Sequence, residues 1–276
     1  MKKVAAFIRQ HRRFTVFAFF ALLIILAAVF APLIATHDPY ESILSEATKP
    51  PSSEHWFGTD KLGRDQFSRV IYGARVSLTS ALFLVCCILS VGTVMGIFAG
   101  YFGGVVDTVI MRLSDMMIAF PGMVLAIAVA GILGASMGNA VIAITIVSWS
   151  KYARLARSLV LKIKHEDYVA AARVGGATNW HILRRYMFSM TIPTLIITAA
   201  TDIGTMMLEI AALSFLGFGA QSPTAEWGLM LNEGRTYMQT APWLMIYPGM
   251  AIFVVVVVFN LLGDSLRDVL DVRDES

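Results

Sequence analysis

Residues 76–100 read VSLTSALFLVCCILSVGTVMGIFAG, a run with no Asp, Glu, Lys or Arg. About 20 mostly apolar residues suffice for a helix to cross the hydrocarbon core of a bilayer. Working outward from this run, further apolar stretches occupy roughly 15–35, 121–136, 139–160, 190–216 and 246–263, so six membrane segments are expected. The apolar residues are continuous instead of alternating, which predicts helices and not barrel strands. Hydrophobic residues make up 57% of the chain and charged residues 15%, against roughly a quarter charged in soluble domains. A water-soluble fold could not hide so much apolar surface. The net charge of +3 is too small to argue for nucleic acid. Cys86 and Cys87 are adjacent inside the second segment and read as packed thiols, not as a disulfide framework or zinc site.

Lys2, Lys3, Arg9, Arg12 and Arg13 precede the apolar run Phe14–Ile34. The run exceeds the 7–15 residues of a signal-peptide core and no small-residue cleavage site follows, so it is read as a retained membrane helix. Pro121 and Pro248 are expected in the first turn of their helices, where a missing N–H costs nothing. The loop after segment four carries Lys151, Arg154, Arg157, Lys162, Lys164, Arg173, Arg184 and Arg185. The positive-inside rule places this loop and the basic leader in the cytoplasm. Both termini are then cytoplasmic, and residues 217–245, with Glu226, Trp227, Glu233 and Arg235, face outside. Residues 36–75 are also external, with turn clusters at His37-Asp38-Pro39 and Pro50-Pro51-Ser52-Ser53 and little regular structure before about Asp65. Gly100, Gly103 and Gly104 are read as breaking the chain after segment two. The organisation expected is a leader and first helix (1–36), an external loop (37–72), a transmembrane core (73–268) containing a cytoplasmic loop (161–189), and a tail (269–276).

The cytoplasmic loop contains Glu166-Asp167-Tyr168-Val169-Ala170-Ala171-Ala172-Arg173-Val174-Gly175-Gly176-Ala177-Thr178. Acidic residues suit a helix N-terminus, and the alanines are strong helix formers. Gly175 and Gly176 permit a left-handed stop, and Thr178 can cap a following helix. A short helix-turn-helix with a small-residue face is expected. An amphipathic connector lying on the lipid surface is the alternative reading of the same residues.

Asp167-Tyr168-Val169, Ala171-Ala172-Arg173 and Gly176-Ala177 resemble the coupling-loop motif of bacterial ABC importer permeases, E-A-A, three residues, G, nine residues, I-x-L-P. The motif's Glu falls on Ala170 and its I-x-L-P on Tyr186, Phe188 and Ser189, where the chain departs from it; the nearest proline is Pro193. His55-Trp56-Phe57-Gly58-Thr59-Asp60, Gly63-Arg64-Asp65, Ser68-Arg69 and Tyr72–Leu78 resemble the entry to segment two in the peptide/nickel branch of these permeases. Leu213–Gly219, Pro223–Gly228 and Asn260–Asp268 extend the likeness, which runs from about residue 15 to the C-terminus. The resemblance implies an all-α, six-helix type I permease with an extra N-terminal helix and a cytoplasmic coupling helix, one of two non-identical permease subunits (the C-type) in a bacterial inner membrane. It implies partners: a second homologous permease, two nucleotide-binding ATPase subunits and an extracytoplasmic solute-binding protein. The chain has no G-x-x-x-x-G-K-[ST] phosphate loop, so ATP and Mg belong to those ATPase subunits and no cofactor is expected here. Docking is assigned to Asp167, Tyr168, Ala171, Ala172 and Arg173, and the turn to Gly176.

In segment five, Asp202, Met206 and Glu209 are spaced to share one helix face. Acids inside a membrane helix face protein or a watery path. The face either guides a cation or amine-bearing solute, or it pairs with another subunit. Asp202-Ile203-Gly204, Met206-Met207-Leu208 and the Pro223–Gly228 block resemble nickel-type permeases more than dipeptide ones, although Glu209 stands where such chains carry histidine. Nickel or a metal chelate is therefore the expected solute, with import of dipeptides or oligopeptides the alternative. His11, His165 and His181, and the outer-loop His37 and His55, read as isolated surface residues, and none is assigned as a metal ligand. An ion-coupled secondary transporter would use Asp202 or Glu209, but the internal repeats common in that class are not found. An intramembrane enzyme lacks its motifs, H-E-x-x-H and G-x-S-x-G.

Overall fold

The structure, a computed structural model, describes residues 11–271. Lys2, Lys3 and Arg9 of the basic leader and the end of the tail lie outside the described residues. The elements are α1 (Arg12–Val29), α2 (Ala31–Ile34), α3 (Gln66–Phe102), α4 (Gly104–Ala119), α5 (Gly122–Leu133), α6 (Met137–Ile163), α7 (Asp167–Val174), α8 (Asn179–Ile182), α9 (Ser189–Phe215), α10 (Trp227–Gly234) and α11 (Trp243–Asp271), with a π-helical stretch, Leu183–Phe188, joining α8 to α9. Among the described residues there is no strand, only an isolated bridge between Thr59 and Asp65.

Among the described residues, four spans are each long and apolar enough to cross a membrane, or five if the bent pair α4–α5 counts as one. Reaching six also requires α6, whose second half carries Lys151, Arg154, Arg157 and Lys162. The segment expected at 121–136 is corrected. Its helix, α5, has 12 residues and is about 18 Å long, too short for a core of about 30 Å. It is bent by 98° from α4, a helix the apolar reading passed over because Asp107, Arg112 and Asp115 interrupt it. Pro121 precedes α5, and its carbonyl accepts from the Leu125 N–H at 3.1 Å.

Pro248 is likewise not at a helix start, because α11 begins at Trp243. A proline there leaves the carbonyl of Leu244 without its helical donor. Gln66 fills the gap, its Nε2 donating to the Leu244 carbonyl at 3.3 Å. Since α3 begins at Gln66, inside the span read as external loop, this first residue of one helix repairs another.

The chain divides into two compact units, with several boundaries falling inside helices. Among the described residues, the first unit contains those up to 83, 130–142 and those from 200 onward. Its core joins Ala21 and Ala28 of α1, the stripe Val70, Ala74 and Leu78 of α3, Trp227 of α10, and Ile252, Val255 and Phe259 of α11. Trp227 is anchored by its indole N–H, which donates to the Val70 carbonyl at 2.8 Å.

The second unit contains residues 84–129 and 143–199. Here Gly92, Gly96 and Gly100 line the face of α3 turned to α6. A Cβ at Gly92 would stand 2.5 Å from the Tyr152 Cβ, one at Gly96 2.3 Å from the Ala153 carbonyl oxygen, and one at Gly100 2.9 Å from the Val160 Cβ. Small residues at four-residue spacing let membrane helices approach backbone to backbone. Gly100 is thus a packing residue and not a breaker; the chain turns at Gly103 and Gly104, with φ of 67° and 52°. Arg157 of α6 holds Asp107 of α4 through two hydrogen bonds of 2.5 and 2.6 Å.

Gly96→Ala should destabilise the chain by about 1–3 kcal/mol, the usual cost of overpacking. Gly138→Ala, where nothing lies within 4 Å of the new Cβ, should be neutral or stabilising. The fraction remaining monodisperse after heating the detergent-purified transporter measures both.

Candidate functional site

The loop helix α7 has well-defined ends. Glu166 is its extended N-cap residue, and Asp167 places negative charge in the first turn. At the other end the Ala177 N–H donates to the Ala172 carbonyl and the Gly176 N–H to the Arg173 carbonyl, both at 3.0 Å. This double bond pattern closes a helix with a left-handed residue, supplied by Gly176 at φ 80°. Thr178 then starts α8, its hydroxyl accepting from the His181 N–H at 3.3 Å.

The helix-turn-helix is seated by a few contacts. Val169 is fully buried. The Tyr101 hydroxyl at the end of α3 donates to Asn179 Oδ1 at 2.8 Å. The Arg173 guanidinium lies 5.8 Å from the centre of the Tyr101 ring, a cation–π distance. Lys164 Nζ donates to the Tyr101 carbonyl at 2.8 Å. Tyr168 stacks on Tyr186 at 5.8 Å, and its hydroxyl meets Met190 Sδ at 3.1 Å.

What remains is an open face. Asp167, Tyr168, Ala171, Arg173 and Gly176 are exposed and Ala172 is half-buried. Val174 is 91% exposed and Trp180 68%. Neither residue belongs to the docking set read from the sequence. Their signal was available: two large apolar side chains in a basic loop outside any apolar run.

In α9 the acids behave differently. Asp202 and Met206 are buried and Glu209 is partly buried, and both acids interact with other groups of the chain.

The external motifs fold onto one another within the first unit. Arg64 Nε donates to Asp60 at 2.6 Å, and Arg64 and Arg69 both reach Glu233, at 3.1 and 3.4 Å. Arg69 also donates to the carbonyls of Pro39 and Pro223. Glu226 is fully buried and caps α10, accepting from the Gly228 and Leu229 N–H groups at 2.9 and 2.8 Å and from the Ser77 hydroxyl at 3.3 Å. Burial pushes its carboxyl up from the ordinary range, and the backbone donors pull against that.

The surface reading of the outer histidines is corrected for His55, which is 5% exposed. Its Nδ1 lies 2.9 Å from Asp65 Oδ1 and its Nε2 2.9 Å from Glu46 Oε2. Burial disfavours the charged ring, but the bonds to Asp65 and Glu46 outweigh it and hold the imidazole above its usual range. The His37 ring stands 4.8 Å away, centre to centre. Glu46, His55 and Asp65 lie nine and ten positions apart, and the fold of the outer segment gathers them with His37.

Residues 92–273 match the family described as the binding-protein-dependent transport system inner membrane component, and residues 3–51 match the N-terminal TM domain of oligopeptide transport permease C. The chain is 45% identical over 252 residues to the dipeptide transport system permease protein of Alkalihalophilus pseudofirmus, covering 91% of this chain and 83% of that one. It is 43% identical over 271 residues to the glutathione transport system permease protein of Pectobacterium atrosepticum, covering 98% and 90%. A crystal structure of an amino acid ABC transporter with histidines is similar in fold, with a TM-score of 0.50 and 19% identity over 72% of this chain and 92% of that one. The chain belongs to the family of inner-membrane components of binding-protein-dependent transport systems, as a permease subunit of an ABC importer. Its relatives carry the names of dipeptide and glutathione systems, so the nickel expectation finds no support and the peptide alternative fits better. The motifs that suggested nickel are short blocks around Asp202 and Pro223. They carry less information than similarity across the whole chain.

Tyr101→Phe removes one hydrogen bond to Asn179. At about 0.5–1.5 kcal/mol for such a bond, amide exchange across residues 167–182 should become roughly 2- to 10-fold faster, read by hydrogen–deuterium exchange of the purified transporter.

Proposed function

We propose that this permease imports short peptides and that the face of α7 is where an ATPase subunit docks. The observation that carries the reading is the pairing of a firmly seated inner side, Val169 with the Tyr101–Asn179 bond, with an outer side of small and apolar residues, Ala170, Ala171, Val174 and Trp180. A helix held this way moves as a body when pushed. Alanines allow close approach, and Val174 and Trp180 supply apolar anchors of the kind that dominate interface energetics.

The working assembly in this reading has a second homologous permease, two nucleotide-binding subunits that hold ATP and Mg, and an external solute-binding protein. Six crossings place both termini and α7 in the cytoplasm. Closure of the ATPase pair displaces α7, and the contacts of Asn179 and Lys164 with Tyr101 pass the displacement to the ends of α3 and α6. ATP binding thereby biases a two-state element. The docking roles fall to Asp167, Tyr168, Ala171, Ala172 and Arg173, and Gly176 sets the turn. Of Asp202, Met206 and Glu209, the first two are buried within the chain, so the attraction for a peptide's ammonium group falls to the partly exposed Glu209. The names of the relatives, dipeptide and glutathione systems, support peptides as the substrate class.

Cells deleted for the gene should lose uptake of a radiolabelled dipeptide and regain it on complementation, with nickel uptake unchanged throughout. Val174→Asp should cut dipeptide uptake at least tenfold while the chain stays in the membrane at wild-type level. Normal uptake by that variant would sink the docking role. Glu209→Gln should lower peptide transport without loss of assembly, and unchanged transport would remove Glu209 from the pathway.

A further inference from the structure

The outer segment presents a convergence that peptide import does not use. One ring nitrogen each of His37 and His55 and an oxygen of Asp65 all lie within 4.8 Å of one another. Asp65 Oδ1 stands 2.9 Å from the His55 nitrogen and 3.8 Å from the His37 nitrogen. Two ligands on a tetrahedral ion with bonds of 2.0–2.1 Å are separated by about 3.3 Å. The two distances to the Asp65 oxygen bracket that value, and rotation of the exposed His37 ring closes the set, which is gathered to within 4.8 Å. In doing so it exchanges its 3.0 Å contact with the Thr36 hydroxyl for the ion.

The surroundings are those of a built site. Asp65 is held by the Ser68 N–H, which donates to its other oxygen at 2.8 Å. The Ser68 hydroxyl in turn accepts from the His37 N–H at 3.0 Å, fixing the backbone that carries the exposed ring. Behind His55, Glu46 Oε2 faces Nε2 at 2.9 Å, and Lys49 balances Glu46 at 2.8 Å. A carboxylate on the far nitrogen of a histidine is the usual outer-shell partner of a metal ligand: it fixes the tautomer and turns the other nitrogen's lone pair forward. With Nε2 donating to Glu46, the His55 Nδ1 and the Asp65 oxygen stand 2.9 Å apart, a gap that either a proton on Nδ1 or a metal cation can bridge. A proton on Nδ1 would satisfy that pair alone. It gives no reason for a second imidazole nitrogen to face the same oxygen.

We propose that His37, His55 and Asp65 form a zinc-class metal site, with Glu46 as the outer-shell carboxylate. Two imidazoles and one carboxylate suit a borderline ion such as Zn²⁺ better than Ca²⁺ or Mg²⁺, which prefer oxygen. The ion is not cargo. Its ligands come from the loop just past α2, the outer loop and the residue before α3, so it clasps residues 36–55 to the start of that helix.

The test uses the assembled transporter, purified without a histidine tag and stripped with chelator. Titrated with Co²⁺ as a visible probe of tetrahedral coordination, it should bind one ion per copy of this chain, and Zn²⁺ should displace it. His37→Gln, at an exposed position that leaves the fold intact by size-exclusion chromatography, should weaken Co²⁺ binding at least tenfold. Glu46→Gln should weaken it roughly 10- to 100-fold, as loss of an outer-shell partner does. Absence of saturable binding would overturn the site and leave His55 as a doubly bonded imidazolium. Equal affinity in wild type and His37→Gln would overturn it as well.

Discussion

The approach of α3 to α6 through Gly92, Gly96 and Gly100 is the constraint on which the site depends. Lipid offers membrane helices no hydrophobic reward for associating, so packing and the contacts that close approach permits must hold them together. At Gly96 the α3 backbone comes so near the Ala153 carbonyl that no side-chain carbon fits between. That register brings Tyr101, at the end of α3, within reach of Lys164, just past the end of α6. The same tyrosine meets Asn179 and Arg173. Three residues without side chains therefore set where the loop helix stands, although none of them belongs to it.

The first unit is organised by charge. Asp60, Arg64 and Arg69 lie close together along the chain and Glu233 far from them, and the four meet in a buried network. Removing such groups from water is expensive, and their mutual attraction often does no more than offset that cost. What they supply is position: each side chain has only one place where its charge is satisfied. Glu226 acts similarly, capping α10 while fully buried, and thereby places Trp227 against the Val70 carbonyl. Gln66 relieves the break that Pro248 makes in α11. Gln66 thus completes a helix that it does not belong to.

Much of this molecule is legible from the chain alone. The membrane class follows from uninterrupted apolar runs, because a bilayer tests length and polarity segment by segment. The helix-turn-helix around Gly176 is equally local: cap, alanines, glycine and the next cap act within a few residues of one another. Family membership is visible in blocks such as His55–Asp60 and Pro223–Gly228, and the family match bears it out. The nickel expectation found no support, and the short blocks behind it carry too little information to separate branches of one family.

Tertiary structure decided the rest, for a physical reason common to every case. Apolar content cannot reveal α4, since Asp107 is tolerated there only because Arg157 arrives from another helix. Nor does composition distinguish a glycine that ends a helix, such as Gly103, from one that admits a neighbour, such as Gly100; the difference is what stands opposite. Val174 and Trp180 become an open face only once Val169 is known to point inward. His37, His55 and Asp65 look unrelated until the outer segment folds back on the start of α3. The sequence determined which stretches are helical, which are apolar and which family the chain joins, because those properties are summed along the chain. Which side chains face one another depends on distances across the chain, and only the folded structure sets those.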